Sequence, residues 1–326
     1  FCRNRAVPWA DYGYEEGFEQ VELSNAFTAP EFPAYGSFTW TQGENSCYRV
    51  TDGGCVYTID KVHGVLTSVV SNGKEMLSSP MIPNIWRAPT DNDMFIKRDW
   101  LAAGYDRMQA QCRECEMTRA DADEIEIAAN LSLAAVAKRP ALEMTVTYLF
   151  RYGKGIEIKA EVNMAEKIPF LPRFGMQLEM PKGNENLSYF GRGPVESYQD
   201  KRHASRLGYF RTTVSEHFEH YIRPQENMAH IDTRMVTVTD ATGHGLLFTV
   251  CEPTDTFSFN CSHYTPKQLT ETAYDFDLCP SEQTVVNIDY RQSGIGSNSC
   301  GPKLAENLKL NESCFSFSFR IQPLFL

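Results

Sequence analysis

The stretch Ile156-Glu-Ile-Lys-Ala-Glu-Val-Asn163 alternates strictly between apolar and polar residues. A repeat of two residues places every apolar side chain on one face of an extended chain, which is typical of a strand with one buried face. A second alternating run precedes it at Met144-Thr-Val-Thr-Tyr148, and Arg151-Tyr-Gly-Lys-Gly155 lies between the two runs. Short glycine-containing connections join antiparallel strands, so the sequence predicts a β-hairpin.

The same alternation continues outward in both directions along the chain. Turn residues such as Asn72-Gly73 and Gly53-Gly54 separate the runs, whereas helical signals are few. Thr265-Pro266 predicts an N-cap followed by a two-turn helix. Many short strands and few helices predict an all-β fold, a large antiparallel sandwich or barrel. The further alternating runs are residues 124–133, 235–239, 246–250 and 314–321.

Composition narrows the class of protein. The 326 residues are 42% hydrophobic and 12% aromatic, which is enough apolar material for a folded core and excludes a disordered chain. No apolar run approaches the ~20 residues that a membrane-spanning helix needs. The 42 acidic residues outnumber the 31 basic ones and give a net charge of −11, which argues against nonspecific nucleic-acid binding.

The ten cysteines are scattered, and only Cys112 and Cys115 form a Cys-X-X-Cys pair. No second pair of cysteines or histidines follows at zinc-ligand spacing, so no metal site is expected. The basic residues near the N-terminus lack the apolar stretch of a signal peptide. Ten thiols without a secretion signal predict a cytoplasmic protein with free cysteines.

The first 45 residues differ from the rest of the chain. Residues 8–23 are expected to form one strand, the last piece of a preceding domain that covers residues 1–24. Residues 25–45 contain two prolines, lack clear alternation, and have the composition of a linker. Residues 46–326 are predicted to form one large β domain.

Three loops are richer in glycine, proline and short polar side chains than turns require. The first is Ile85-Trp-Arg-Ala-Pro-Thr-Asp-Asn-Asp93, in which Asp91, Asn92 and Asp93 can bind backbone groups, a cation or sugar hydroxyls. An Asx-turn network that closes the loop and a ligand-binding role both fit this composition.

The second loop is Tyr189-Phe-Gly-Arg-Gly-Pro-Val-Glu-Ser-Tyr-Gln-Asp-Lys-Arg202, whose charged side chains either pair with one another or contact a ligand. The third, Ser293-Gly-Ile-Gly-Ser-Asn-Ser-Cys-Gly-Pro302, has glycines that allow a ligand close to the backbone. It lacks the glycine-lysine pattern of a phosphate loop. The charged side chains of the second loop that we single out are Arg192, Glu196, Asp200 and Arg202.

Together with Pro224-Gln-Glu-Asn227, these loops carry a resemblance to a known family. Trp86 to Asp93, Gly191 to Arg202, and Gly294-Ile-Gly-Ser-Asn-Ser-Cys-Gly-Pro302 resemble segments of the C-terminal, small-chain domain of glycoside hydrolase family 2 β-galactosidases. The order and spacing match over about residues 46–326. The segment from Pro8 to Leu23 resembles the final strand of the immunoglobulin-like domain that precedes this domain in the family.

The resemblance implies a large two-layered antiparallel supersandwich, the fold shared with galactose mutarotases. It also implies that the full-length enzyme hydrolyses terminal β-galactosides such as lactose with retention, using one acid/base carboxyl and one nucleophilic carboxyl. Both glutamates would lie in a barrel domain that this chain lacks, so no catalytic residue is expected here and the isolated chain is expected to be inactive. Gly183-Asn184-Glu185 copies the sequence around the family's acid/base, but its place between two strand runs predicts a hairpin turn.

The resemblance also implies the partners. These are the galactoside substrate, the other domains of the same enzyme and, in the full-length form, further copies of it. Neither a nucleic acid nor a membrane is expected among them. The Mg and Na ions that the family often uses would be bound in other domains, so no cofactor is expected in this chain.

The implied role of the chain is one wall of the active-site mouth, on the aglycone side. Cys300 stands where the family often has a tryptophan that stacks on the aglycone, so a weaker contact is expected here, and Cys300→Trp is expected to tighten aglycone binding. Alternatively, Cys300 is a small buried residue that closes the loop. Phe95 lies in a stretch that matches a mobile loop near the same mouth and would supply apolar contact. The substrate-binding candidates are Asn298, Ser299, Cys300, Asp91, Asn92, Asp93 and Phe95.

Two other functions remain open. An aldose 1-epimerase of the same fold would use a histidine and a carboxylate as acid and base, for which His230 and His263 are the candidates. A carbohydrate-binding or purely architectural interface domain would need no catalytic residue. The remaining histidines are expected to be structural or to lie on the surface.

Overall fold

The computed structural model describes residues 1–21, 23, 27–28, 30, 36–43, 46–296 and 301–325, and their regular structure is almost entirely β. The α-helices are α1 (Ile96–Ala103) and α2 (Pro266–Glu271), and short 3-10 helices cover Asp91–Asp93, Tyr105–Arg107, Asp275–Asp277 and Glu306–Leu308. The strands are β1 (Phe38–Gly43), β2 (Cys47–Asp52), β3 (Cys55–Asp60), β4 (Val65–Ser71), β5 (Lys74–Glu75), β6 (Ser79–Asn84), β7 (Gln109–Ala120), β8 (Glu124–Ala134), β9 (Leu142–Arg151), β10 (Ile156–Met164), β11 (Arg173–Met180), β12 (Asn186–Gly193), β13 (Arg206–Thr213), β14 (His230–Thr233), β15 (Met235–Thr239), β16 (Gly245–Thr249), β17 (Phe257–Ser262), β18 (Thr284–Gln292) and β19 (Cys314–Leu324).

These strands form three antiparallel sheets. The N-terminal sheet has the order β1-β2-β3-β4-β5. The large sheet has the order β13-β12-β15-β16-β19-β10-β9-β8-β7, and the small sheet has the order β14-β17-β18-β11-β6. Because β6 and β18 both pair antiparallel with β11, both end at the edge of the small sheet where β11 begins.

The predicted hairpin is confirmed at the centre of the large sheet. Strands β9 and β10 pair with Val146 opposite Ala160 and Phe150 opposite Ile156. The apolar residues of β10 point into the core, as the alternation requires, and the charged residues between them stay at least partly accessible. The N-cap and helix predicted at residues 265–271 are also confirmed, since the Thr265 hydroxyl accepts a hydrogen bond from the backbone N–H of Gln268.

One hydrophobic core joins the three sheets. The large sheet contributes Ile158 and Phe248, the small sheet contributes Met176 and Ile288, and the N-terminal sheet contributes Ile59, all of them buried. Burying a side chain of this size stabilises the fold by roughly 1.5–3 kcal/mol. Because the apolar faces of the large and small sheets meet in this core, the sheets form the two layers of a sandwich, and the predicted all-β supersandwich class is confirmed.

The N-terminal segment differs from the expected single strand over residues 8–23. Among residues 1–21 and 23, extended pairing is limited to isolated bridges, such as the one between Cys2 and Glu15, and the Phe1 ammonium donates to the Gly17 carbonyl (2.8 Å). The chain turns back on itself at Gly13, which has φ +86°, a conformation that other residues adopt rarely.

Strand β1 lies inside residues 25–45, where composition predicts a linker. It pairs with β2 along its whole length, from Phe38 opposite Asp52 to Gly43 opposite Cys47. The threonines and the tryptophan of this strand favour an extended backbone, which explains the pairing in spite of the nearby prolines. The domain boundaries themselves stay predictions.

Two local expectations were wrong. Residues 183–185 do not form a hairpin turn, because β11 belongs to the small sheet and β12 to the large one, so this segment crosses between the layers. The stretch after Asp93 is not a loop throughout, because α1 begins at Ile96 and buries Trp100. No helix in the described part of the chain is long and apolar enough to cross a bilayer.

Candidate functional site

The four polar segments meet at the edge of the small sheet where β6 and β18 end. Asn92 Nδ2 donates to the Ile295 carbonyl (2.6 Å), which joins the first loop to the third. The Asp91 N–H donates to Gln225 Oε1 (3.0 Å), which joins the first loop to the segment at residues 224–227. Residues separated by 203 and 134 positions in the sequence are therefore brought into contact.

A buried arginine closes the first loop. Arg87 is fully buried and contacts both carboxylate oxygens of Asp93, through Nη2 (2.9 Å) and Nε (3.2 Å). The same guanidinium donates to the carbonyls of Ser293 and Gly294. Asp93 also accepts the Thr90 N–H (2.9 Å). Both carboxylate oxygens are thus used inside the protein, which favours the interpretation of Asp93 as a structural residue over its role as a substrate ligand.

Asp200 holds the start of the third loop. Its carboxylate accepts the N–H groups of Ile295 (3.0 Å) and Gly296 (2.7 Å). A Cβ at Gly294 would lie 2.6 Å from Asp200 Oδ2, so glycine is needed for this close approach. The candidates Asn298, Ser299 and Cys300 follow directly but lie outside the described residues, and the role of Cys300 stays a prediction.

The remaining candidates, Asp91, Asn92 and Phe95, are accessible to solvent, and we call this accessible part of the first loop together with the adjoining third loop the rim. Asp91 is exposed and Asn92 is partly exposed, so both keep capacity for further hydrogen bonds. Phe95 is 53% exposed at the start of α1, and Met94 beside it is also exposed. Polar side chains and accessible aromatic rings are the groups that bind a sugar, whose ring has polar edges and apolar faces.

The charged residues of the second loop are paired within the protein, both inside and outside the loop. Arg192 and Arg202 both contact the carboxylate of Asp232 (2.6 and 2.7 Å), which lies outside the loop. Glu196 forms an ion pair with Lys201 within the loop and accepts the N–H of Met228 (3.0 Å). These contacts use the charges to fix the loop, which favours the structural interpretation of this segment.

A buried ionic network lies beneath the site. Arg173 at the start of β11 donates to Asp289 on β18 (2.6 Å) and to Glu226 (3.3 Å), and the Glu226 carboxylate also accepts from Gln292 (3.0 Å). Burial raises the pKa of Asp289 to about 6, although the ion pair with Arg173 acts in the opposite direction. The network joins the segment at residues 224–227 to the small sheet.

The geometry of the histidine candidates does not favour an epimerase site. Nε2 of His263 contacts Oε2 of Glu185 at 2.7 Å, so acid and base are bonded to each other with no gap for a sugar between them. His230 is fully buried and pairs with His217 instead of a carboxylate. Glu185 also accepts the Ser215 N–H (2.8 Å), so the resemblance of its surroundings to a catalytic motif is only local.

Within the described residues, no three side chains of His, Cys, Asp or Glu converge to form a metal site. The nine cysteines that the structure describes are free thiols. Cys112 and Cys115 lie on β7, where Cys115 is buried, and burial raises the pKa of its thiol to about 12. A thiol in that environment is a poor ligand and a poor nucleophile.

Comparison with known proteins supports the family resemblance that the four segments carry. Residues 51–321 match the family model described as beta galactosidase small chain. A β-galactosidase of Staphylococcus xylosus is 40% identical over 82% of this chain, and one of Actinobacillus pleuropneumoniae is 33% identical over 97%. The chain spans only 26% and 31% of the length of these two relatives.

Among solved structures, a galactose 1-epimerase from Lactobacillus acidophilus covers 88% of this chain and is itself covered over 99% of its length, with 8% identity and a TM-score of 0.43. An aldose epimerase homologue from Caenorhabditis elegans covers 83% of this chain, is covered over 95%, and has 8% identity and a TM-score of 0.40. The family match extends over most of the sequence and includes all four segments of the site. The chain therefore belongs to the β-galactosidase small-chain family.

Proposed function

We propose that this chain is the part of a retaining β-galactosidase that forms the aglycone side of the active site. The observation that carries the proposal is the convergence of the first and third loops on one rim, fixed from below by Arg87 and Asp200. A rim held by a buried ion pair and by hydrogen bonds from a carboxylate to the backbone has a defined shape, which a substrate-positioning surface needs. Enzymes position substrates with such surfaces and place the reacting groups elsewhere.

The substrate class we infer is terminal β-galactosides such as lactose. Asp91 and Asn92 would bind hydroxyls of the leaving sugar, and Phe95 would contact its apolar face. A retaining mechanism needs two carboxyl groups about 5–5.5 Å apart. Because the chain spans less than a third of its relatives, we infer that both carboxyls come from the remainder of the enzyme.

The same proposal includes the organisation of the whole protein. Residues 1–24 would end an immunoglobulin-like domain, residues 25–45 would connect it, and residues 46–326 would form the small-chain domain. We further propose a cytoplasmic homo-oligomer whose Mg and Na ions are bound outside this chain. The other domains of the enzyme are then its principal partners.

The isolated chain is expected to show no hydrolysis of chromogenic β-galactosides, because it lacks the catalytic pair. The measurement is release of nitrophenol by the purified 326-residue chain, alone and after mixing with the separately produced remainder of the enzyme. Activity is expected only in the mixture.

Turnover by the chain alone that survives repurification and disappears in Glu185→Gln would contradict the proposal, because it would place a catalytic carboxyl in this chain. Faster mutarotation of α-galactose, followed by polarimetry, would instead support the epimerase function.

A further inference from the structure

Two buried histidines face each other through their Nε2 atoms. The Nε2 atoms of His217 and His230 are 2.7 Å apart. Nδ1 of His217 lies 3.0 Å from the Cys261 carbonyl, and Nδ1 of His230 lies 2.7 Å from the Arg192 carbonyl. All three distances are short enough for hydrogen bonds, so each of the three contacts needs one proton between its two atoms.

Two neutral imidazoles cannot supply these protons. A carbonyl oxygen only accepts, so each Nδ1 has to donate, which uses the single N–H of each neutral ring. The two Nε2 lone pairs would then face each other at hydrogen-bond distance. If one ring carries its proton on Nε2 instead, the lone pair of its Nδ1 faces a carbonyl oxygen, and one contact still lacks a proton. One additional proton, placed between the two Nε2 atoms, satisfies all three contacts.

The surroundings suit a shared positive charge. The ring of Phe259 stacks on both imidazoles, with centroid distances of 5.8 Å to His217 and 5.3 Å to His230. The ring of Tyr189 lies 4.5 Å from that of His230. Aromatic faces attract cations, and the two carbonyl oxygens add negative potential at the ends of the pair.

The other titratable groups around the pair are neutral or engaged elsewhere. Burial raises the pKa of the Tyr189 hydroxyl and of the Cys261 thiol, so both stay protonated. The guanidinium of Arg192 pairs with Asp232, and the described residues place no carboxylate within ion-pair distance of either imidazole. No neighbouring anion therefore competes for the proton.

Burial by itself opposes protonation of either ring. It lowers the pKa of His217 to about 4, and it also lowers the pKa of His230, with the charge of His217 acting in the same direction. These shifts concern a proton held by one ring alone, and they make the doubly protonated pair unfavourable. A proton between the rings is shared by both and replaces a repulsive contact with a hydrogen bond.

We propose that His217 and His230 hold one shared proton at neutral pH and form a pH-sensitive tie between the two layers of the sandwich. The His230 ring holds the Arg192 carbonyl on β12 of the large sheet, and the His217 ring holds the Cys261 carbonyl on β17 of the small sheet. Loss of the proton breaks the link between them. The tie does not depend on the proposed enzymatic function.

The proposal predicts an unusual pH dependence of stability. Unfolded histidines have pKa values of about 6.5, so the unfolded pair binds two protons at acid pH and none at alkaline pH. If the folded pair keeps one proton throughout, unfolding takes up a proton at acid pH and releases one at alkaline pH. The contribution of the pair to stability then falls on both sides of about pH 6.5.

The test compares the unfolding constants of wild type and His217→Phe by urea denaturation across this pH range. In the variant the remaining His230 is neutral and donates only to the Arg192 carbonyl. The ratio of the wild-type constant to the variant constant is expected to be flat below about pH 6 and to rise about tenfold per pH unit above about pH 7. Replacement of the exposed His203 by phenylalanine serves as the control and should give a flat ratio throughout.

A neutral pair gives the opposite result, which would overturn the proposal. The ratio would then be flat at alkaline pH and would rise about tenfold per unit as the pH falls below about 6. If His217→Phe fails to fold, nitrogen NMR of the wild-type chain with labelled histidine decides the question at about pH 7. Protons on both Nδ1 atoms and one proton shared between the Nε2 atoms support the proposal, and an Nδ1 without a proton refutes it.

Discussion

Replacing Asp289 with alanine is expected to lower the free energy of unfolding by about 3–5 kcal/mol. The variant leaves the fully buried guanidinium of Arg173 with Glu226 as its remaining carboxylate contact, at 3.3 Å. Without its main partner, the buried guanidinium retains most of its desolvation penalty. In the intact pair, the mutual attraction and the hydrogen bonds offset that penalty. Urea denaturation followed by tryptophan fluorescence measures the loss.

Two comparisons separate this effect from general damage. Glu282→Ala removes an exposed ion pair with Lys182 and should change stability by less than about 1 kcal/mol. The triple variant Arg173→Met, Asp289→Leu and Glu226→Gln removes all three charges of the network and should be more stable than Asp289→Ala, because no unpaired charge of the network remains in the core. Equal losses in the single and triple variants would contradict the interpretation.

Arg87→Leu is expected to destabilise the protein by a similar amount, about 3–5 kcal/mol, since it leaves the buried carboxylate of Asp93 without its cation. It also removes the donors to the carbonyls of Ser293 and Gly294, so the third loop keeps only the contact of Asn92 with Ile295 among its described hydrogen bonds to the first loop. Hydrogen exchange at Ile295 and Gly296 should therefore become faster than in wild type under native conditions.

Arg87→Lys is the matched variant for that prediction. Lysine keeps the charge but lacks the planar fork that contacts both oxygens of Asp93 and two carbonyls at once. It should recover part of the stability and little of the protection from exchange. An Arg87→Leu protein with unchanged stability and unchanged exchange in the third loop would show that Arg87 does not fix the rim.

The alternation in the sequence predicts the strands well because one face of the large sheet is buried. Strands β9 and β10 follow the period of two throughout, and β8 and β19 follow it over most of their length. The helix at Thr265 is equally local, since its cap and its proline act within one turn. The connection at residues 183–185 is different, because its local turn signal is the same whether the next strand pairs with the same sheet or crosses to the other layer.

The site was predictable only in part. Loops rich in glycine, proline and short polar side chains identified the segments around Asp91 and Gly294, but not the buried charges that hold them. Asp289 lies in β18, where consecutive residues are buried, so alternation does not show which side chains face the core. The partnerships of Arg173 and of His217 depend on contacts across the fold, for which the sequence carries no local signal.

The central claim, that this rim contacts the aglycone, is tested most directly by the kinetics of Phe95→Ala in the complete β-galactosidase. Truncating a half-exposed phenylalanine should remove about 1 kcal/mol of contact with the leaving sugar, so the KM for lactose should rise roughly fivefold. Inhibition by free galactose should be unchanged, because that sugar would be held by the other domains. Trp40→Ala, which alters an exposed aromatic residue of the N-terminal sheet, is the control. A Phe95→Ala enzyme with the wild-type KM for lactose, or with equally weakened galactose inhibition, would contradict the claim.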